Sequence, residues 1–137
     1  MTKGSCLCGG VSFQIDGFSR NIYKCHCSRC RKVSGTASST AAISAPGMFY
    51  WLEGEDLCNA YRPEGSDHTT YFCSTCGSPL PIRIAETDTY WIPCGLLDSE
   101  PNIPFTAHIC TDSMASWDIL DDKTEHYPDV ASFTSAQ

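Results

Sequence analysis

Ten cysteines among 137 residues constrain the fold of this chain more than any other feature of its sequence. Most fall into short clusters with the spacings C-x-C and C-x-x-C, and they stand at positions 6, 8, 25, 27, 30, 58, 73, 76, 94 and 110. The N-terminal stretch MTKGSCLCGG lacks the apolar run of a secretory signal, so we expect a cytoplasmic protein whose thiols stay reduced. In that setting the spacings favour metal binding over a disulfide framework or a redox pair.

Four of these cysteines have the pattern of a structural zinc site. Such a site is a closed tetrahedron of four soft ligands, usually delivered as two short pairs from separate segments. The pairs Cys6/Cys8 and Cys73/Cys76 provide those ligands. Gly77, directly after Cys76, suits a tight turn in which backbone amides face the sulfurs. We therefore expect a metal to join the N-terminal strand to a late hairpin and to stabilise the fold.

The remaining cluster, CHCSRC at positions 25–30, offers three cysteines: Cys25, Cys27 and Cys30. Three protein ligands with one open position form the arrangement of a catalytic zinc, which can hold a water or a substrate thiolate. The sequence therefore predicts two zinc ions per chain, one structural and one catalytic.

Spacing alone leaves two alternatives open for this second site. Cys73 and Cys76 could join the CHCSRC cluster instead of the N-terminal pair. The second zinc could also be purely structural, with His26, Cys94 or Cys110 as its fourth ligand.

The charge of the chain argues against nucleic-acid binding. Its formal net charge is −7, with nine Lys and Arg, whereas a nucleic-acid binder needs a basic face to neutralise phosphates. Four of the nine, Lys24, Arg29, Arg31 and Lys32, surround CHCSRC, where they would offset thiolate charge or attract an acidic substrate. We expect neutralisation of Arg29 and Arg31 to weaken binding of an acidic thiol. No apolar run reaches the roughly 18 residues of a transmembrane helix.

Periodicity predicts a mainly β protein that forms one domain over residues 1–137. Strands are predicted at 10–15, 37–44, 68–73 and 89–97, bounded by Gly, Pro, Asp and Ser. The segment CSRCRKVSG predicts a short helix with Ser28 as N-cap and Gly35 at its end, and a second turn is predicted from Asp112 to Trp117. We expect the chain beyond Pro128 to be frayed.

The motifs GSCLCGGVSFQI, CHCSRCRKVSG, YFCSTCGSPL, GLLD and HI occur in this order. From Gly4 to about Pro128 the chain resembles the glutathione-dependent formaldehyde-activating enzyme family, also called the centromere protein V/GFA domain. The resemblance implies a β-tent fold made of small antiparallel sheets. It also implies a structural zinc on Cys6, Cys8, Cys73 and Cys76, and a catalytic zinc on Cys25, Cys27 and Cys30.

The resemblance further implies an activity, the condensation of glutathione with formaldehyde to S-hydroxymethylglutathione, classed in reverse as a carbon–sulfur lyase (EC 4.4 class). The developing alkoxide would take its proton or cation from zinc, a water or His108. The sequence departs from the family at Cys110, where relatives commonly have an aromatic residue, and near Met114, where they often have Lys or Arg. The alternative function is a non-catalytic, zinc-stapled module that binds a protein partner, as the family's chromatin-associated members suggest.

Overall fold

The computed structural model describes residues 1–120 and 123–136, and its regular structure is mostly β-strand. The strands are β1 (Thr2–Ser5), β2 (Ser12–Ile15), β3 (Phe18–Cys25), β4 (Ser39–Ser44), β5 (Phe49–Glu53), β6 (Cys58–Tyr61), β7 (Thr70–Cys73), β8 (Ile82–Arg83), β9 (Tyr90–Pro93), β10 (Phe105–Ile109) and β11 (Glu125–His126). The α-helices are α1 (Ser28–Ser34) and α2 (Val130–Ser135), and 3-10 turns cover Glu55–Leu57, Cys94–Leu96 and Thr111–Ser113. This confirms the mainly β class. None of the helices in the described ranges has the length and hydropathy needed to cross a bilayer.

Within the described residues the strands form three sheets. One has the order β1-β2-β5, another is the β6-β7 hairpin, and the largest has the order β11-β10-β3-β4-β9-β8. Most pairs are antiparallel as expected, but β10 pairs in parallel with both β3 and β11. The register of β3 and β10 sets Cys25 beside Ile109, so the chain entering α1 lies next to the end of β10.

The core follows the alternation that the sequence predicts for β2. Phe13 and Ile15 are buried, while Ser12 and Gln14 between them are only half-buried. Phe13 stacks on Phe49 at a ring distance of 5.4 Å, and this pair belongs to the cluster that also buries Ile92. The three-stranded sheet and the six-stranded sheet therefore share an aromatic core.

Each cysteine cluster lies inside a core cluster of its own. Cys6 and Cys73 are buried with Val11 and Leu80, and Cys76 packs against that group. Cys25 is buried in a separate cluster that contains Tyr23, Ala41, Ile109, Cys110 and Phe133. The packing of the core and the placement of the sulfurs are therefore coupled at both sites, because cysteine side chains that carry the sulfurs are themselves part of the core.

The structure differs from the sequence prediction at several element ends. The strand predicted at 89–97 is limited to β9, and a 3-10 turn at Cys94–Leu96 takes the place of its second half. The N-cap of α1 is Cys27 and not Ser28, while Gly35 ends the helix as predicted, with φ 68°.

The expectation of a frayed C-terminus was wrong, because α2 forms there and buries Phe133 against Tyr23, with ring centroids 5.0 Å apart. One aromatic anchor is enough to order the segment.

Candidate metal centres

Two tight turns bring the N-terminal cysteine pair to the later one. After Cys6 the chain turns at Gly9, whose φ is 76° and whose amide donates to the Cys6 carbonyl at 2.9 Å. After Cys73 it turns at Gly77, whose φ is 78° and whose amide donates to the Cys73 carbonyl at 2.8 Å. Positive φ favours glycine, so the residue that follows each cysteine pair permits the turn that groups the sulfurs.

The four sulfurs have the spacing of a closed tetrahedral site. The ligand atoms of Cys6, Cys8, Cys73 and Cys76 all lie within 4.8 Å of one another. The Cys6–Cys8 Sγ separation is 3.5 Å and that of Cys8–Cys73 is 3.9 Å. A tetrahedron with Zn–S bonds of about 2.3 Å places its sulfurs about 3.8 Å apart. The sulfurs are thus grouped as predicted for Cys6/Cys8 with Cys73/Cys76, and the latter two do not join the CHCSRC cluster.

Electrostatics at this cluster favours a cation. Hydrogen bonds from the side chain and backbone of Ser78 hold the pKa of Cys76 at about 5. The Gly10 amide lowers the pKa of Cys8, but the neighbouring sulfurs, Cys6 first, outweigh it and raise that pKa to about 11. Thiolates this close repel one another and do not ionise together unless a positive charge compensates. A bound metal ion supplies that charge.

The second cluster forms where β3 passes into α1. Cys25 is the last residue of β3, Cys27 is the N-cap of α1, and Cys30 lies in its first turn. The Cys30 amide donates to the Cys27 sulfur at 3.3 Å, and the ligand atoms of all three cysteines lie within 4.8 Å of one another. The hydrogen bond with Cys25 and burial raise the pKa of Cys30. Three sulfurs so placed fit a metal ion that has one further coordination position.

His26 faces away from these sulfurs although its neighbours in sequence carry two of them. Its Nε2 lies 2.8 Å from Nδ1 of His108, and its Nδ1 lies 3.2 Å from Oδ2 of Asp118. Burial lowers the pKa of His26 in spite of the Asp118 carboxylate. His26 therefore has His108 and the Asp118 carboxylate as its close polar neighbours, and it does not belong to the group of mutually close ligand atoms.

His108, a predicted candidate for proton transfer, lies in the same buried network. Its side chain is 5% exposed, and its ring packs against those of Phe105 and His126. Burial, with the neighbouring His26 second, lowers the pKa of His108. Its position gives it a structural partner in His26 but no place on the wall of the cleft beside the three-cysteine cluster.

That cleft has a volume of about 830 Å³, and Cys30 forms part of its wall. Its charged lining includes Arg29, Arg83 and Asp67. Val33, Trp91 and Leu96 supply an apolar wall. The cleft therefore borders one cysteine of the cluster and carries charges of both signs.

The sequence identified only part of this lining. Arg29 lines the cleft as its position in CHCSRC indicated, but Arg31 instead donates to the Ser113 carbonyl at 3.3 Å. Arg83 was missed because it stands far along the chain and no motif marks it. Pairing of β8 with β9, which sets Arg83 opposite Tyr90, brings it to the cleft.

The fold and the two clusters define a mainly β protein with two cysteine sites suited to metal ions. The family model "Glutathione-dependent formaldehyde-activating enzyme" matches residues 1–113, and the chain belongs to this family. A Halomonas elongata protein is named "Putative glutathione-dependent formaldehyde-activating enzyme". It is 26% identical to this chain over an alignment of 143 positions, which spans 94% of this chain and 90% of the relative. A crystal structure of a Rhodobacter sphaeroides protein has the same fold, with a TM-score of 0.57 and 23% identity over 76% of this chain and 99% of that one.

Proposed function

We propose that this protein is a zinc-dependent enzyme of the carbon–sulfur lyase type that joins or splits glutathione and formaldehyde as S-hydroxymethylglutathione. The observation that carries the proposal is the position of Cys30, which belongs to the three-sulfur cluster and also lines the cleft. A cluster sealed in the core would only stabilise the fold, whereas this one has a cysteine on the wall of a cleft that could admit a ligand. The thiol and the aldehyde are those in the names of the family and of the relative.

Zinc suits the donor set of three thiols near one another. Held by Cys25, Cys27 and Cys30, it would act as a Lewis acid and keep a substrate thiol ionised near neutral pH, where a free thiol of pKa about 8.5 is mostly protonated. The protein's own part is to hold the three sulfurs in place through the Cys27 cap and the end of β3.

The charges of the cleft match those of glutathione, which carries two carboxylates and one ammonium group. Arg29 and Arg83 are suited to the carboxylates, since guanidinium groups bind them in bidentate geometry. Asp67 is suited to the ammonium group, which would compete with Arg62 for its carboxylate in an exposed ion pair of 3.2 Å. The two arginines also offset the field of a chain whose formal net charge is −7. This arrangement orients the tripeptide along the cleft with its thiol toward Cys30.

The reaction also requires a proton for the new hydroxyl group. When the sulfur adds to the carbonyl carbon, the oxygen gains negative charge and takes a proton. His68 lines the cleft and carries an imidazole, which makes it a better candidate than the buried His108. Trp91 and Val33 add apolar surface to the lining of the same cleft.

The test is catalysed exchange between formaldehyde hydrate and S-hydroxymethylglutathione, followed by ¹³C NMR, because this reaction also proceeds without an enzyme. We expect the exchange rate to rise with the concentration of zinc-loaded protein. Arg29→Gln should raise KM roughly tenfold by removing a charge-assisted hydrogen bond, with little change in kcat. Arg31→Gln is the matched control, because its side chain binds Ser113 and lies off the cleft.

Absence of any acceleration by a protein that holds two zinc ions would contradict the proposal. That outcome would favour the alternative of a zinc-stapled binding module. Equal KM increases in Arg29→Gln and Arg31→Gln would contradict the assigned binding mode while leaving the reaction in place.

A further inference from the structure

We propose that Cys110 is a fourth sulfur ligand of the second metal site in this chain, so that four sulfurs close the site when no substrate thiol is bound. The inference rests on the proposed function in one respect, the binding of a metal ion by Cys25, Cys27 and Cys30. It concerns a residue outside both groups of mutually close ligand atoms.

Strand pairing brings Cys110 to the cluster from far along the chain. In the parallel register of β3 and β10, Ile109 lies beside Cys25, and the His26 amide donates to the Ile109 carbonyl at 3.0 Å. Cys110 follows directly, and only 9% of it is exposed. It shares a core cluster with Cys25, against which Cys27 and Cys30 also pack, and its thiol interacts with that of Cys25. The Cys110 thiol thus lies next to the three-cysteine cluster at the junction of β3, α1 and β10, although its sulfur is not within 4.8 Å of all three others.

The backbone of Cys110 is held in an unusual conformation. Its φ is 57° and its ψ is 39°, in the left-handed region, where a Cβ comes too close to the following carbonyl oxygen and residues other than glycine are uncommon. Hydrogen bonds fix both sides, from the Thr111 amide to the Tyr127 carbonyl and from the Ser113 amide to the Cys110 carbonyl, each at 3.0 Å. Such conformations persist where the surrounding structure enforces them, and they concentrate at functional sites. This one keeps the thiol against the cluster.

The other candidates for a fourth protein ligand are engaged elsewhere. Both ring nitrogens of His26 are directed at His108 and Asp118. The Cys94 thiol donates to the Ile92 carbonyl at 3.8 Å and lines a separate cavity of about 390 Å³. Cys110 already contacts the Cys25 thiol, and closure of the site requires a change of its side-chain rotamer that brings its sulfur toward Cys27 and Cys30 as well.

A closed resting site changes how a substrate enters. The incoming thiol replaces Cys110 instead of filling an empty position. One metal–sulfur bond forms as another breaks, and the proton lost by the incoming thiol passes to the Cys110 sulfur. Cys110 therefore competes with the substrate and keeps the metal covered until a thiol arrives in the cleft.

The test is ¹¹³Cd NMR of the full chain loaded with cadmium, because each site gives one resonance whose position reports the number of sulfur ligands. We expect two resonances in the wild-type protein, both at four-sulfur positions. Cys110→Ala should move one resonance to a three-sulfur position and leave the other unchanged. Cys94→Ala is the matched control and should leave both in place.

The outcomes separate this inference from the proposed function. A wild-type spectrum with one resonance already at a three-sulfur position, unmoved by Cys110→Ala, overturns the inference and leaves the three-cysteine site intact. A single resonance from a chain that binds only one cadmium ion shows that the second site holds no metal, which overturns both. Should Cys110→Ala fail to fold, the wild-type spectrum and the near-isosteric Cys110→Ser variant decide by the same criterion.

Discussion

Gly54 and Gly65 have nearly the same backbone conformation in very different surroundings. Their φ angles are 75° and 74°. A Cβ on Gly54 would lie 1.9 Å from the carbonyl oxygen of Gly10, whereas a Cβ on Gly65 would meet nothing within 4 Å. Gly54 thus lets the end of β5 approach the turn that carries the first cysteine pair.

The two glycines, Gly54 and Gly65, give a prediction at the scale of single residues. Gly65→Ala should lower the free energy of unfolding by about 1 kcal/mol, the cost of a left-handed conformation for a residue with a Cβ. Gly54→Ala should cost about 1–3 kcal/mol more, because the backbone of Gly10 must move as well. Urea unfolding of both variants measures the difference. Equal losses would show that the approach of Gly54 to Gly10 adds nothing.

Single residues also show how far the sequence alone leads. The seven cysteines of the two clusters were predictable, because ligand pairs are local in sequence and their spacings are characteristic. Arg83 was not assigned to a site, and Cys110 could not be told apart from His26 and Cys94 as a fourth ligand, since both positions depend on the register of strands that are distant in the chain. The His26–His108 contact was hidden for the same reason, being a pair 82 residues apart.

At the scale of elements, α2 depends on one anchor. Six residues are too few for a stable isolated helix, so its stability comes from packing. Phe133 is buried between Tyr23 and Tyr127, and the Arg20 guanidinium lies 5.1 Å from its ring centroid. This order could not be predicted from periodicity, because a single Phe in a polar tail has none, and the N-cap residue Asp129 alone does not indicate a helix.

Removing that anchor should release the C-terminus. Phe133→Ala should lower the free energy of unfolding by about 3 kcal/mol, through lost burial and the cavity left behind. Val130→Ala, on the exposed side of the same helix, should change it by less than about 0.5 kcal/mol. Urea unfolding and limited proteolysis of the tail measure both effects. A loss for Val130→Ala as large as that for Phe133→Ala would contradict the assigned packing.

At the scale of the whole molecule, the four-cysteine cluster joins distant parts of the chain. Cys8 and Cys73 are 65 residues apart in sequence, and their sulfurs lie 3.9 Å apart. A metal ion at this point closes a long loop, and its binding free energy adds to the stability of the fold. Between the two pairs run β2 to β6, which belong to all three sheets.

Loss of one ligand here should therefore affect the entire molecule. Cys73→Ser should remove one metal ion per chain and lower the free energy of unfolding by several kcal/mol. Cys58→Ser is the matched control, since Cys58 pairs with Cys73 across the β6-β7 hairpin but lies outside the four-sulfur group. Metal content by mass spectrometry and thermal unfolding test both variants. Equal metal loss from Cys58→Ser would contradict the assignment of the four ligands.

The parallel pairing of β3 with β10 has a consequence for the nascent chain. Cys25 leaves the ribosome 84 residues before Ile109, its neighbour in the sheet. At about 5–20 residues per second, roughly 4 to 17 seconds pass before that strand can cover the CHCSRC thiols. During this interval they are open to whatever metal ions or oxidants the surroundings contain. The three cysteines can thus encounter metal ions during synthesis, before the strand that will cover them has been made.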